Sequence, residues 1–275
     1  MSDKRGSAHG VPILSIAILV FVFAFSFLGS LFYSVDAHSL DSLSILLAPS
    51  SGHFLGTDRL GRDILARLIE GGQVSLIIGV GSAFIASLIG LFLGSLAGYF
   101  RGGVDKAFVV TVDLFLTFPT FFLLLALVSY VNASAWVLIV IISITGWMTT
   151  ARLIRSESFK ITTQPYIKIL NIANISKLKI LFKYYAPILA PIYFVSFTFG
   201  VGGAILAESG LSFLGLGIVA PQMSWGTILS GGKEVIEIAW WVSFFPGLMI
   251  FLVTFSLINI SNYLQQITNK KQIQN

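Results

Sequence analysis

The sequence predicts an all-α integral membrane protein with six transmembrane helices. Three observations carry that reading. Hydrophobic residues make up 56% of the 275 and charged residues only 11%, where a soluble domain carries about a quarter. The apolar residues gather into six long runs separated by polar segments. The basic residues cluster between those runs, at the ends of the expected helices. The net charge of +5 would suit nucleic acid if it were spread over one face, and this clustering argues against such a partner. The chain has no cysteine, which excludes disulfides, thiolate metal sites and cysteine nucleophiles.

Residues 1–10 are polar, with Lys4 and Arg5. Val11 to Ser34 is an apolar run of 24 residues, about 36 Å as a helix and enough to span. A signal peptide is the rival reading, because Val35-Asp36-Ala37 resembles a cleavage site. The apolar core of a signal peptide is only about 7–15 residues, so a retained helix is expected.

A polar extracytoplasmic loop follows over 35–72. The second helix is expected over 73–99. Within it Ser82, Ala86, Gly90, Gly94 and Gly98 recur every four residues. Such a stripe of small residues lets another helix approach closely in lipid. The third helix is expected over 107–130 and includes Pro119, the fourth over 135–150, the fifth over 188–207 and the sixth over 239–263. Residues 208–238 read as irregular, and 264–275 as a polar inner tail.

The loop 152–187 holds Arg152, Arg155, Lys160, Lys168, Lys177, Lys179 and Lys183. With the N-terminus inside, 13 of the 17 Lys and Arg lie in inner segments and 4 in outer ones. The positive-inside rule then places both termini and this loop in the cytoplasm.

The loop should itself fold. Thr163 is placed to cap a short helix that carries Pro165 in its first turn. Ser176 is placed to cap a second. There Leu178, Leu181, Phe182 and Tyr185 fall at i, i+3, i+4 and i+7 and so share one apolar face. An apolar stripe with no membrane to span suggests a coupling helix that docks into a soluble subunit. Its rival is a helix lying flat on anionic lipid.

Several stretches in order resemble permease subunits of ATP-driven (ABC) importers for peptides and nickel, specifically the second permease of the pair. They are HFLGTDRLGRDILARL (53–68), SLIIGV (75–80), LAGYF (96–100), VDLFLTFP (112–119), ARLIRS (151–156), AESGLSFLGLG (207–217), SWG (224–226) and AWW with FPGL (239–248). The resemblance implies a type I importer permease core in 73–263 preceded by an N-terminal helix. It also implies a sister permease, two ATPase subunits that bind ATP and Mg, and an extracytoplasmic binding protein. No cofactor is expected in this chain. Family members seat the ATPase with an E-A-A-x-x-x-G motif. Aligned from Tyr166, this chain has Lys168, Ile169 and Leu170 in place of Glu-Ala-Ala, and Asn174 in place of Gly, while Pro187 is kept. The tail after Asn259 also departs from the family's GDxLRD-like ending.

Ser230-Gly231-Gly232-Lys233 evokes a phosphate loop, but Glu234 follows the Lys and Thr227 replaces the first Gly, so no ATP site is expected. His53, Asp58 and Asp63 could ligate a metal. Their spacing better fits helix caps and partners for Arg59, Arg62 and Arg67. Asp113, two turns into the third helix, is an intramembrane charge that should pair with Arg152 or Arg155 or else face the translocation path. Glu208, Phe213, Leu214, Gly215 and Trp225 lie in an irregular apolar segment that must be buried in protein or line a cavity. They are candidates for an outer gate or a binding-protein surface.

The expected function is therefore a permease of an ATP-driven importer in the bacterial inner membrane. Peptides are the first choice of substrate, nickel or a nickel chelate the second. A channel or ion-coupled carrier working alone would need more buried charges than Asp113, or paired broken helices. An intramembrane hydrolase would need paired catalytic groups within the spans.

Overall fold

The structure, a computed structural model, describes residues 11–274. Segment 1–10, with Lys4 and Arg5, expected to be cytoplasmic, lies outside the described residues. Ten α-helices run through the described chain: α1 (Ile13–Phe32), α2 (Ile64–Phe100), α3 (Gly102–Leu116), α4 (Thr120–Val128), α5 (Ala135–Thr162), α6 (Pro165–Ile172), α7 (Lys177–Ile180), α8 (Ala186–Phe213), α9 (Trp225–Gly232) and α10 (Trp241–Gln274). A π-helical turn, Leu181–Tyr185, joins α7 to α8 without a break. Five helices are long and apolar enough to cross a membrane, and there are six crossings when the bent pair α3 and α4 is counted as one span.

Helix ends depart from the hydropathy reading wherever charged residues continue a helix. α2 begins at Ile64 rather than 73, because Asp63 caps it by accepting the Ala66 N–H at 2.9 Å and Ile64, Leu68 and Ile69 are buried. α5 runs on to Thr162, so Arg152 and Arg155 are helical rather than in a loop. α10 runs on to Gln274, so the expected tail is helix. The third crossing is not one helix. α3 and α4 meet at 78°, with Pro119 at the bend, where it lacks an N–H and its ring clashes with the preceding turn.

Bundle packing follows from small residues. In lipid the association of helices rests on close van der Waals contact rather than on escape from water. α2 lies along α5, and its stripe is the seam. A Cβ on Gly94 would sit 2.4 Å from the Ala151 carbonyl oxygen, and one on Gly98 would sit 2.4 Å from Ser158 Cβ. Ser143 donates to the Ser82 carbonyl at 3.2 Å, and Thr162 donates to that of Gly98 at 3.0 Å. Ala86 is buried opposite Gly146. On the other side of α2, α8 packs against it and against α10, and α1 covers α2 and α10. The largest core cluster joins Leu68, Leu76, Ile205, Trp225, Val242 and Val253 from α2, α8, α9 and α10.

The alternation of crossings puts loops 33–63, 129–134 and 214–240 at one end. The turn at Arg101, the segment 163–185 and the C-terminal end of α10 lie at the other.

Candidate functional site

The segment after α5 is anchored by one face and open on the other. Ile167, Ile180 and Tyr185 are buried in a cluster with Tyr99, Ile154 and Leu189. The Tyr185 ring meets that of Tyr99 edge-on, with centroids 5.6 Å apart, and its hydroxyl lies 2.7 Å from the Thr162 hydroxyl. Leu178 and Phe182 instead stand 68% and 76% exposed, and Ile169 and Ile172 are 65% and 81% exposed. Tyr166 is also exposed, as are Lys168 and Pro187, while Leu181 is half-buried.

This corrects the expected apolar stripe. Leu178 and Phe182 do not share their environment with Tyr185. The wider π turn over 181–185 re-phases the helix, and Tyr185 becomes an anchor while Phe182 stays outside. Capping also differs. Ser176 flanks α7 but makes no side-chain cap, and the Thr163 hydroxyl donates back to the Lys160 carbonyl at 2.6 Å. Asn174 has φ +53°, in the left-handed region that glycine enters freely and asparagine enters more readily than other side chains. The glycine expected from the resemblance is thus replaced by the residue type best able to keep its backbone conformation.

Charges near this end are paired between helices. Arg152 lies 2.5 Å from Asp113, with both side chains more than half exposed. Arg155 grips Asp105 with two nitrogens, Nη2 at 2.8 Å. Asp105 lies in the first turn of α3, where only the packing of α3 beside α5 brings it to Arg155. Arg101 stacks over the Phe159 ring at 4.0 Å.

At the opposite end the expected gate residues separate into two groups. Glu208 is fully buried within α8. Its Oε1 accepts the hydroxyls of Ser212 and Ser224, each at 2.6 Å. Ser224 also caps α9, forming a capping box with Thr227. Trp225 is fully buried: its backbone N–H donates to Ser75 Oγ at 3.0 Å and its indole N–H to the Leu68 carbonyl at 3.0 Å. Glu208 and Trp225 therefore lock α9 onto α8 and α2 and present nothing to a partner, contrary to the gate expectation for them. Gly226 permits this approach, since a Cβ there would lie 2.7 Å from Ser209 Cα. Phe213 ends α8, and Leu214 and Gly215 form the exposed turn beyond it, with Leu214 55% exposed and Gly215 at φ +81°. The seryl partners of Glu208 carry no sequence signal, because a lone serine in α8 or ahead of α9 does not stand out in hydropathy.

His53, Asp58 and Asp63 sit in the loop between α1 and α2. His53 Nδ1 is 2.9 Å from Asp63 Oδ2, and Tyr33 donates to the same oxygen at 3.0 Å. Asp58 pairs with Arg62 at 2.7 Å. No group of three metal-ligating side chains occurs among the described residues.

Between the two ends, α2, α4, α5, α8 and α10 enclose a cavity of about 460 Å³. Its polar lining is made of hydroxyls and amides, including Ser87, Thr145, Thr149, Ser196, Asn262 and Gln265, with no ionisable side chain.

Residues 90–273 match the family model described as binding-protein-dependent transport system inner membrane component. The chain belongs to this family. It is 30% identical over 256 residues to the oligopeptide transport system permease protein OppC of Haemophilus influenzae, covering 92% of this chain and 82% of that one. It is 32% identical over 259 residues to OppC of Escherichia coli, covering 93% and 86%. It is 31% identical over 271 residues to the dipeptide transport system permease protein DppC of Bacillus subtilis, covering 98% and 84%. A chain of the inward-facing MetNI methionine ABC transporter shares the fold, with a TM-score of 0.57 at 17% identity over 72% of this chain and 96% of that one. This family member is thus an all-α, multi-pass inner-membrane permease of the ABC importer type.

Proposed function

We propose that this permease pairs with a sister permease and carries peptides, delivered by an extracytoplasmic binding protein, across the inner membrane. Two ATPase subunits would bind ATP and Mg and drive it. The observation that carries the proposal is the two-faced segment 163–185. Its inner face is bolted to the bundle through Ile167, Ile180 and Tyr185, and its outer face offers Ile169, Ile172, Leu178 and Phe182. A side chain such as Phe182 stabilises an interface by about 1.5–3 kcal/mol when it leaves water. A rigid link to α5 and α8 means that movement of a docked subunit moves the helices that line the central cavity. Lys168 and Asn174 belong to the same surface.

The orientation rests on charge: 13 of 17 Lys and Arg fall on the side of this segment, so both termini and the ATPase surface are cytoplasmic. The opposite turn, Phe213 to Gly215, then faces the binding protein. Peptides are favoured as substrate because relatives in three organisms are named for oligopeptide or dipeptide transport. The uncharged, hydroxyl-rich cavity suits peptide backbones regardless of their side-chain charge. Asp113, paired with Arg152 outside that cavity, joins α3 to α5.

The test is affinity purification of the tagged chain in mild detergent. A second permease and P-loop ATPases should co-purify. Leu178→Asp with Phe182→Asp should lose the ATPases and keep the sister permease. Recovery of the chain alone, moving solute without ATP, would contradict the proposal.

A further inference from the structure

At the outer-loop end, a polar cluster around the start of α2 is used by nothing above. A cavity of about 310 Å³ is lined by Asp58, Arg59, Arg62, Arg67, Thr227 and Gly231, among others. The arginines are not equally served. Arg59 pairs with Glu234, far along the chain. Asp58 is committed to Arg62. Its Oδ2 meets Arg62 Nε at 2.8 Å and Nη2 at 2.7 Å, while its Oδ1 accepts the backbone N–H groups of Leu60 at 2.8 Å and Arg62 at 3.1 Å.

Arg67 receives what is left. Its side chain is 7% exposed, and its Nε is 3.6 Å from Asp58 Oδ2, beyond hydrogen-bond distance. That Nε has no hydrogen-bond partner within the protein. Its Nη1 reaches only the Ala37 carbonyl, at 3.4 Å. The nearby Glu70 is engaged with His38 at 2.9 Å. A buried guanidinium is costly unless paired and hydrogen-bonded. Here one buried positive charge borders the cavity, shares Asp58 with Arg62 at ion-pair distance only, and leaves its Nε without a hydrogen-bond partner.

We propose that this cavity is a carboxylate-binding site, with Arg67 as its buried donor and Arg62 at its rim. A guanidinium offers a planar fork of N–H donors that matches the two oxygens of a carboxylate. The carboxylate can come from a small free acid or peptide terminus, or from the side chain of a protein docking at this end.

The test is a thermal-unfolding titration of the detergent-purified protein with sodium acetate, against sodium chloride at matched ionic strength. Ligand that binds only the folded state raises the midpoint in a saturable way. We expect acetate to raise it by several degrees more than chloride. Arg67→Lys, which keeps the charge and removes the fork, should abolish the difference. Should that variant not fold, Arg62→Gln serves, since it releases Asp58 to pair with Arg67 and so should also abolish the acetate response. Equal responses to acetate and chloride, or an undiminished response in Arg62→Gln, would overturn the site. Capture of the binding protein, measured with and without acetate, then separates the sources. Acetate-sensitive capture marks a docking carboxylate, and acetate-insensitive capture with the thermal response intact marks a free one. No transport or ATPase assay enters the titration, so its failure would leave the importer proposal untouched.

Discussion

Ser224 donates a 2.6 Å hydrogen bond to Glu208 across sixteen residues of chain, and the same hydroxyl accepts the Thr227 N–H at 3.1 Å. One side chain therefore starts α9 and fastens it to α8. Ser224→Ala removes both. The cap contributes about 0.5–2 kcal/mol, and the hydrogen bond to Glu208 adds about 0.5–1.5 kcal/mol. We predict a clearly lowered thermal midpoint for Ser224→Ala. The drop should shrink in a Glu208→Gln background, because the pair is coupled.

The α2–α5 seam should tolerate no added carbon where backbones touch. Gly94→Ala places a Cβ 2.4 Å from the Ala151 carbonyl oxygen, whereas Gly103→Ala in α3 meets nothing within 4 Å. The first should reduce folded yield in membranes by severalfold. The second should not, as judged by size-exclusion profiles of the solubilised proteins.

Asn174 should respond to substitution as a left-handed residue. At φ +53°, Asn174→Gly should be neutral or stabilising. Asn174→Val should cost about 1–3 kcal/mol, read as a lower unfolding midpoint, and should weaken ATPase recovery more than Asn174→Gly does.

The two faces of segment 163–185 should separate in mutagenesis. Ile180→Asp buries a charge at a position with no exposure and should abolish folding. Phe182→Asp, at 76% exposure, should leave the thermal midpoint nearly unchanged and reduce ATP-driven uptake by about tenfold or more, as losing about 1.4 kcal/mol of docking energy already gives a tenfold loss of affinity.

The apolar runs and the four-residue stripe from Ser82 to Gly98 were legible because lipid imposes length and small residues impose contact. The pairing of Asp113 with Arg152 was among the expected alternatives. The ends of helices were not legible. Arg67 and Glu70 in α2, and Arg152, Arg155 and Lys160 in α5, lower local hydropathy without breaking the helix. The phase of the coupling segment was hidden too. A π turn changes which residues share a face, so the i, i+3, i+4, i+7 pattern joined Tyr185 to Phe182 although one is buried and the other exposed. Trp225 read as a gate or binding-protein residue because only the fold reveals that Leu68 and Ser75 satisfy its two N–H groups.

The measurement that tests the central claim most directly uses the absence of cysteine in the chain. A single cysteine is introduced by Phe182→Cys, with Ile180→Cys as the buried control, and membranes are treated with a short thiol crosslinker. The account predicts that Phe182→Cys is joined to a P-loop ATPase subunit, in a yield that changes with ATP, and that Ile180→Cys is not. Capture of no ATPase at position 182, with the protein folded and active in uptake, would contradict it.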